Sequence, residues 1–229
     1  MTGTKIVKLK LEGGTGERLP KLMDSQVSEA VSFYNGWSYD GSNGSHFTDE
    51  TLKRFRGLDF KTKQLQEIVD ILERTAPDER WYSAKAGYFS SALMRGSTEK
   101  EFRLNVRKPL DYFGNYLSDG KKVTVYGDLG DWTGRMMEDA HIIVKGNAGG
   151  DTGNFMDGGS IDVKGNAERY TGSHMTGGRI HVYGNAGDYT GDDMEGGRIE
   201  VGGTIGGIGT ALKGGEIWHR GERVWPKEE

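Results

Sequence analysis

The residues able to do chemistry are scattered. Five histidines occur, His46, His141, His174, His181 and His219, and none forms the His-x-His or His-Glu-x-x-His spacing that aims two imidazoles at one metal. With no cysteine, the chain has no disulfide, thiolate metal site, cluster ligand or thiol nucleophile. The Gly-x-Ser-x-Gly elbow that raises a serine nucleophile in α/β-hydrolases is also absent. Asp188, Asp192, Asp193 and Glu195 form an acidic cluster of the kind that holds a hard cation. Calcium-binding β-rolls, however, repeat about every nine residues, and this segment belongs to a longer period. The run Gly202–Gly209, GGTIGGIG, resembles a phosphate loop, but such a loop needs a helix after it, whose free N–H groups bind the phosphate. A further β coil is expected there instead.

What must position these groups is a repeat. Gly127, Gly146, Gly165 and Gly184 stand nineteen residues apart, and Gly203 continues the series. From Ile142 the chain reads IIVKGNAGGDTGNFMDGGS, from Ile161 IDVKGNAERYTGSHMTGGR, and from Ile180 IHVYGNAGDYTGDDMEGGR. A short fixed period marks a unit that cannot bury its apolar side alone and must stack on its neighbours. β-Branched residues two apart point to one side of a strand, and paired glycines bend the chain without a Cβ clash. Nineteen residues are too few for a repeat containing a helix. The expected fold is therefore α+β: a right-handed β-solenoid, or single-stranded β-helix, over residues 104–229, preceded by a mixed, mainly helical layer over 1–103.

Equivalent residues then stack at about 4.8 Å. Val125, Val144, Val163, Val182 and Val201 form one inner row, and Met137, Met156, Met175 and Met194 a second. Asn147, Asn166 and Asn185 form a third, a buried amide ladder that satisfies its neighbours above and below. Leu104, nineteen residues before Val123, opens a degenerate first coil; Ile217 arrives eighteen residues after Ile199 and marks the end. About six coils make a rod roughly 30 Å long, and its open ends need covering. Trp218, Val224, Trp225 and Pro226 are the expected cover at the C-terminal end. On the outside, Lys145 and Lys164 stack beside Tyr126 and Tyr183, a stripe that is either a solvated face or a partner contact. His181, at an outward strand position, and His174, at a turn position shared with Phe155 and Asp193, read as surface residues.

Residues 1–103 have a different texture. Lys5–Leu11 alternates as a strand, Gly13–Gly16 is a turn, and Leu19–Val31 can be helical. Tyr34–His46 reads as a Gly/Ser/Asn-rich loop, and Thr48 as the cap of a short helix. Leu65, Ile68, Val69 and Leu72 give Lys61–Arg74 the spacing of an amphipathic helix ended by Pro77. Asp78 caps another helix running to about Arg95, with Trp81, Ala84, Tyr88 and Ala92 on one side. The aromatic loop with Phe33, Tyr34, Trp37 and Tyr39 either packs on the rod or anchors a partner; Trp37 and Tyr39 are the candidate contacts.

A formal net charge of −4 favours neither nucleic acid nor an anionic membrane as partner. The start MTGTKIVKLKLEGG lacks the apolar core of a signal peptide and no segment reaches transmembrane length, so a cytoplasmic address is expected.

The repeated phrase GNAG followed by TG, Met, Gly-Gly and Ile-x-Val resembles the GXGXG-motif family, over roughly Val123–Ile217. That family includes one of the subunits of formylmethanofuran dehydrogenases and the third domain of glutamate synthase large subunits. The strict GNAG copies look closer to the former. The resemblance implies a right-handed β-helix with no chemistry of its own, organising the catalytic partners of a multi-subunit redox enzyme. It implies protein subunits as partners and no cofactor in this chain, with metal, iron-sulfur or flavin centres on the partner subunits. An old esterase label on some members keeps a second possibility open, a stand-alone hydrolase with its site between the N-terminal layer and the rod.

Overall fold

A computed structural model describes residues 24–37, 44–55, 58–75 and 82–226. The expected strand Lys5–Leu11, the turn Gly13–Gly16, and Tyr39, Pro77, Asp78 and Trp81 lie outside the described residues.

Among the described residues four helices come first: α1 (Ser25–Gly36), α2 (Gly44–Arg54), α3 (Thr62–Thr75) and α4 (Tyr82–Gly96). The Asp24 carboxylate caps α1 by accepting the Gln26 backbone N–H at 2.8 Å. Helix α2 begins at Gly44, four residues before the cap expected at Thr48. Thr48 instead lies inside the helix, and its hydroxyl donates to the Gly44 carbonyl at 2.9 Å, a bond a helix interior supplies as readily as a cap. The loop expected over Tyr34–His46 is correspondingly shorter, since Tyr34 is in α1 and His46 in α2. On α3, Leu65, Ile68, Val69 and Leu72 are buried as their spacing requires. Helix α4 is buried on almost every side, and Gly87 is the reason it can lie so close to the rod: a Cβ there would strike the Asp111 carbonyl.

The strands are β1 (Glu101–Asn105), β2 (Lys122–Tyr126), β3 (His141–Val144), β4 (Ser160–Val163), β5 (Arg179–Val182), β6 (Arg198–Val201), β7 (Glu216–His219) and β8 (Glu222–Trp225). The first seven pair parallel in chain order, one per coil, and β8 returns antiparallel on β7. This is an α+β chain whose larger part is a β-solenoid. Ile142, Ile161, Ile180 and Ile199 stack at the nineteen-residue step, and Ile217 follows at eighteen. The first coil departs from the expected step. Leu104 pairs with Val125, and Phe102 with Val123, twenty-one residues apart. Its turn residues Tyr112, Gly114 and Tyr116 precede their counterparts Trp132, Gly134 and Met136 by twenty, so one extra residue is absorbed before the turn and one after it.

The Ile, Val and Met rows are at most 2 % exposed. Each such side chain contributes about 1.5–3 kcal/mol when fully buried, which no single coil could collect alone. A fourth inner row has no signal in its residue type: Thr133, Thr152, Thr171 and Thr190 are fully buried, each hydroxyl satisfied by a carbonyl three residues earlier. The asparagine row is a correction. Asn147, Asn166 and Asn185 are exposed at a coil edge, yet they still form a ladder, each side-chain oxygen accepting a backbone N–H of the next coil at 2.8–2.9 Å. Their bonds run along the rod axis, which leaves the amide rim free to face water.

The helical layer closes the first end of the rod, continuing one apolar core from Val27 to Ile217. Strand β1 would otherwise show an unpaired edge. Gln66 of α3 meets that edge twice, accepting the Asn105 N–H at 2.6 Å and donating to its carbonyl at 3.0 Å. Glu73 accepts the Arg107 N–H at 2.7 Å, and the Thr62 hydroxyl donates to the Glu101 carbonyl at 3.1 Å. Lys121, 1 % exposed, donates its ammonium to the Glu99 carbonyl at 3.0 Å and to that of Ser97, tying α4's end to the rod; burial lowers its pKa. Replacing Gln66 with Leu should lower stability by about 1–3 kcal/mol, read by denaturant unfolding, while Lys63→Leu, at an exposed position of α3 away from the edge, should change it by less than half as much. At the far end, β8 covers β7, with Val224 and Trp225 packed against the core.

Candidate functional site

Strand alternation sends Ile and Val inward and leaves every other residue on the outer face of the sheet. That face carries one row from Lys122, His141, Ser160, Arg179, Arg198 and Glu216, and a second from Thr124, Ile143, Asp162, His181, Glu200 and Trp218. A third row, at or just past the strand ends, runs Tyr126, Lys145, Lys164 and Tyr183.

The face is divided electrostatically. From β3 to β8 its charges pair with one another. Asp162 lies 2.9 Å from His141 Nε2 and 3.7 Å from an Arg179 nitrogen. Glu200 pairs with Arg198 and His181, and Glu216 with Arg198 and Arg223. The Arg198 guanidinium lies 4.2 Å above the Trp218 ring, and the Lys164 ammonium 3.3 Å above the Tyr183 ring, which also stacks on His181 at 3.9 Å. Over β1–β3, by contrast, Arg103, Lys122 and Lys145 are exposed with no ion-pair partner among the described residues. These three and Glu101 border an open groove of about 300 Å³, floored in part by Ile143 and flanked by Tyr126. Tyr126 is 48 % and Tyr183 46 % exposed, so both remain accessible rings on this face.

Other sequence candidates find structural employment. Among the described residues no cluster of three or more His, Asp or Glu is placed to hold a metal. Within the acidic cluster, Asp193 and Glu195 meet Lys213 at 3.4 and 3.0 Å, and Asp192 accepts the Thr210 N–H. The glycine-rich run forms coil rather than a phosphate cradle: the N–H groups of Gly202, Gly203, Gly206 and Gly209 bond to Val182, Gly184, Ala186 and Thr190 carbonyls of the preceding coil. His219 Nε2 lies 2.7 Å from the Gly203 carbonyl. Trp37, one of the candidate partner contacts, is half-buried rather than on a free loop. It packs within the helical layer, 5.3 Å from the Phe47 ring and 6.0 Å from Phe33, in an aromatic cluster that also takes Phe55 and Phe89. Tyr34 is fully buried beside it. Gly and Ser around these rings suggest exposure, but helix α2 begins early enough to roof them.

Two features have no signal in residue type. The turns of the first five coils hold non-glycine residues at positive φ, such as Asp151 and Phe155 or Tyr170 and His174, and rings among them stack along the flank: Phe155 on His174 at 4.6 Å, Tyr170 on Tyr189 at 4.9 Å. Half-buried Asp111 ties α4 to the first turn, accepting from Ser83 at 2.5 Å and from the Asp131 N–H at 3.0 Å; desolvation raises its pKa. No helix among the described residues is long and apolar enough to cross a membrane. No family model matches the chain, and no curated protein matches it.

Proposed function

We propose that the chain is a non-catalytic structural subunit of a multi-subunit redox enzyme, a rigid rod that organises catalytic partner subunits. The observation that carries this reading is the use made of the repeat: its Ile, Val, Met and Thr are buried in stacked rows and its Asn and Gly serve the coil turns, so what the repetition preserves is a regular outer surface. The resemblance of the GNAG copies to GXGXG-motif proteins supplies the redox complex, and the partners, in that reading, carry any metal, iron-sulfur or flavin centre.

One observation favours the hydrolase reading enough to name a residue. Ser160 sits opposite His141 in the register, and His141 bonds Asp162, bringing Ser, His and Asp together on the outer face. The strand backbone N–H groups there are engaged in the parallel ladder, so the backbone supplies no preformed oxyanion hole beside Ser160. Purified chain offered a short-chain nitrophenyl ester should show no turnover above background, and Ser160→Ala should change nothing. Turnover abolished by Ser160→Ala would replace the scaffold with an enzyme.

A further inference from the structure

Resting on the scaffold reading, we propose that the groove over β1–β3 is a docking site for an extended acidic segment of a partner protein. Charge complementarity points to this occupant, on a face that elsewhere neutralises itself. From β3 onward Asp162, Glu200 and Glu216 answer the neighbouring cations. In the groove, Arg103, Lys122 and Lys145 stand against Glu101 alone. Three exposed cations converging on an open depression repel one another unless an anion joins them. Between them Ile143 and Tyr126 offer an apolar strip, so the fitting occupant alternates carboxylates with apolar side chains.

The chemistry favours protein over nucleic acid. A polyanion would have to run past a molecule of formal net charge −4, and among the described residues lining the groove Tyr126 is the one exposed aromatic ring, since Phe102 is buried. A short acidic segment senses only the local cations, since charges more than about 10 Å away are screened at ordinary salt. Its carboxylates would meet Lys122, Lys145 and Arg103 while its apolar side chains lie on Ile143 and against Tyr126.

The test uses the whole chain and a short fluorescein-labelled peptide alternating Glu and Leu, followed by fluorescence polarisation, with the Lys/Leu peptide as counterpart. The acidic peptide should bind and weaken as salt is raised. The double variant Lys122→Glu/Lys145→Glu should weaken it about tenfold or more with an unchanged thermal midpoint, because both side chains are exposed. Arg169→Glu, a charge reversal elsewhere on the rod, should leave binding within about twofold. Absence of acidic-peptide binding, equal binding of the Lys/Leu peptide, or an unaffected double variant would overturn the proposal. A single-stranded oligonucleotide that bound more tightly and was lost in the same variant would overturn the partner class. If these fail while the chain still purifies in a stoichiometric complex, the groove assignment falls and the scaffold reading stands; isolation of the chain alone removes both.

Discussion

Met175→Asp is expected to destabilise the rod by about 4 kcal/mol or more, while Lys164→Asp lowers stability by about 1 kcal/mol. Met175 is fully buried in a row with Met156 and Met194, and the described structure offers no cation to meet a carboxylate there. Asp would lose the packing of the thioether and either remain charged without a partner or take up a proton at the expense of folding. Because coils stack only on their neighbours, a defect at the middle of the row loosens two interfaces at once. Lys164 loses only its place over the Tyr183 ring. Urea unfolding of the two variants checks the contrast, and equal midpoints would contradict the assignment of inner and outer rows.

The second large effect lies in the turn glycines. Gly134 has φ +67°, and a Cβ there would come within 2.5 Å of the Cδ1 of Ile161 on β4, whose side chain is fully buried. Gly134→Ala should therefore cost about 3 kcal/mol, part from left-handed backbone and part from overpacking. Gly120→Ala isolates the first part: it too has positive φ, at +63°, but nothing lies within 4 Å, so about 1–2 kcal/mol is expected. Ile161→Val removes the offending methyl. The double variant Gly134→Ala/Ile161→Val should then be more stable than the sum of the single changes implies, by about 1 kcal/mol or more in a double-mutant cycle. Strict additivity would mean that the glycine is required for its backbone angle alone.

The rod is legible because period and alternation act at every coil. Ile142, Ile161, Ile180 and Ile199 stack as their spacing demands, and Ile217 closes the series one residue short. Legibility fails where one coil stands alone. The first coil hides two extra residues, one on either side of a turn, and no repeat lies before it to set the phase. Residue type misleads at Asn147, Asn166 and Asn185, where an amide ladder serves equally well at an exposed rim as in a core. The helical layer is harder still. Thr48 has cap chemistry but bonds equally well within a helix, and the contacts that bury Trp37 and Tyr34 come from Phe47 and Phe89, which lie far enough along the chain that no local pattern links them. On the outer face, Lys145 and Tyr126 can be placed outward by alternation, whereas the groove between them depends on which neighbouring carboxylates are missing, a property of the assembled sheet.

The most direct measurement on the scaffold itself is purification of the tagged chain from its native cells under mild conditions, with mass and subunit ratio determined by light scattering and mass spectrometry. A stoichiometric complex with larger subunits is expected, whose redox-cofactor absorbance and turnover stay with those subunits when this chain is stripped away. A chain that emerges alone, or that retains cofactor or turnover after separation, would contradict it.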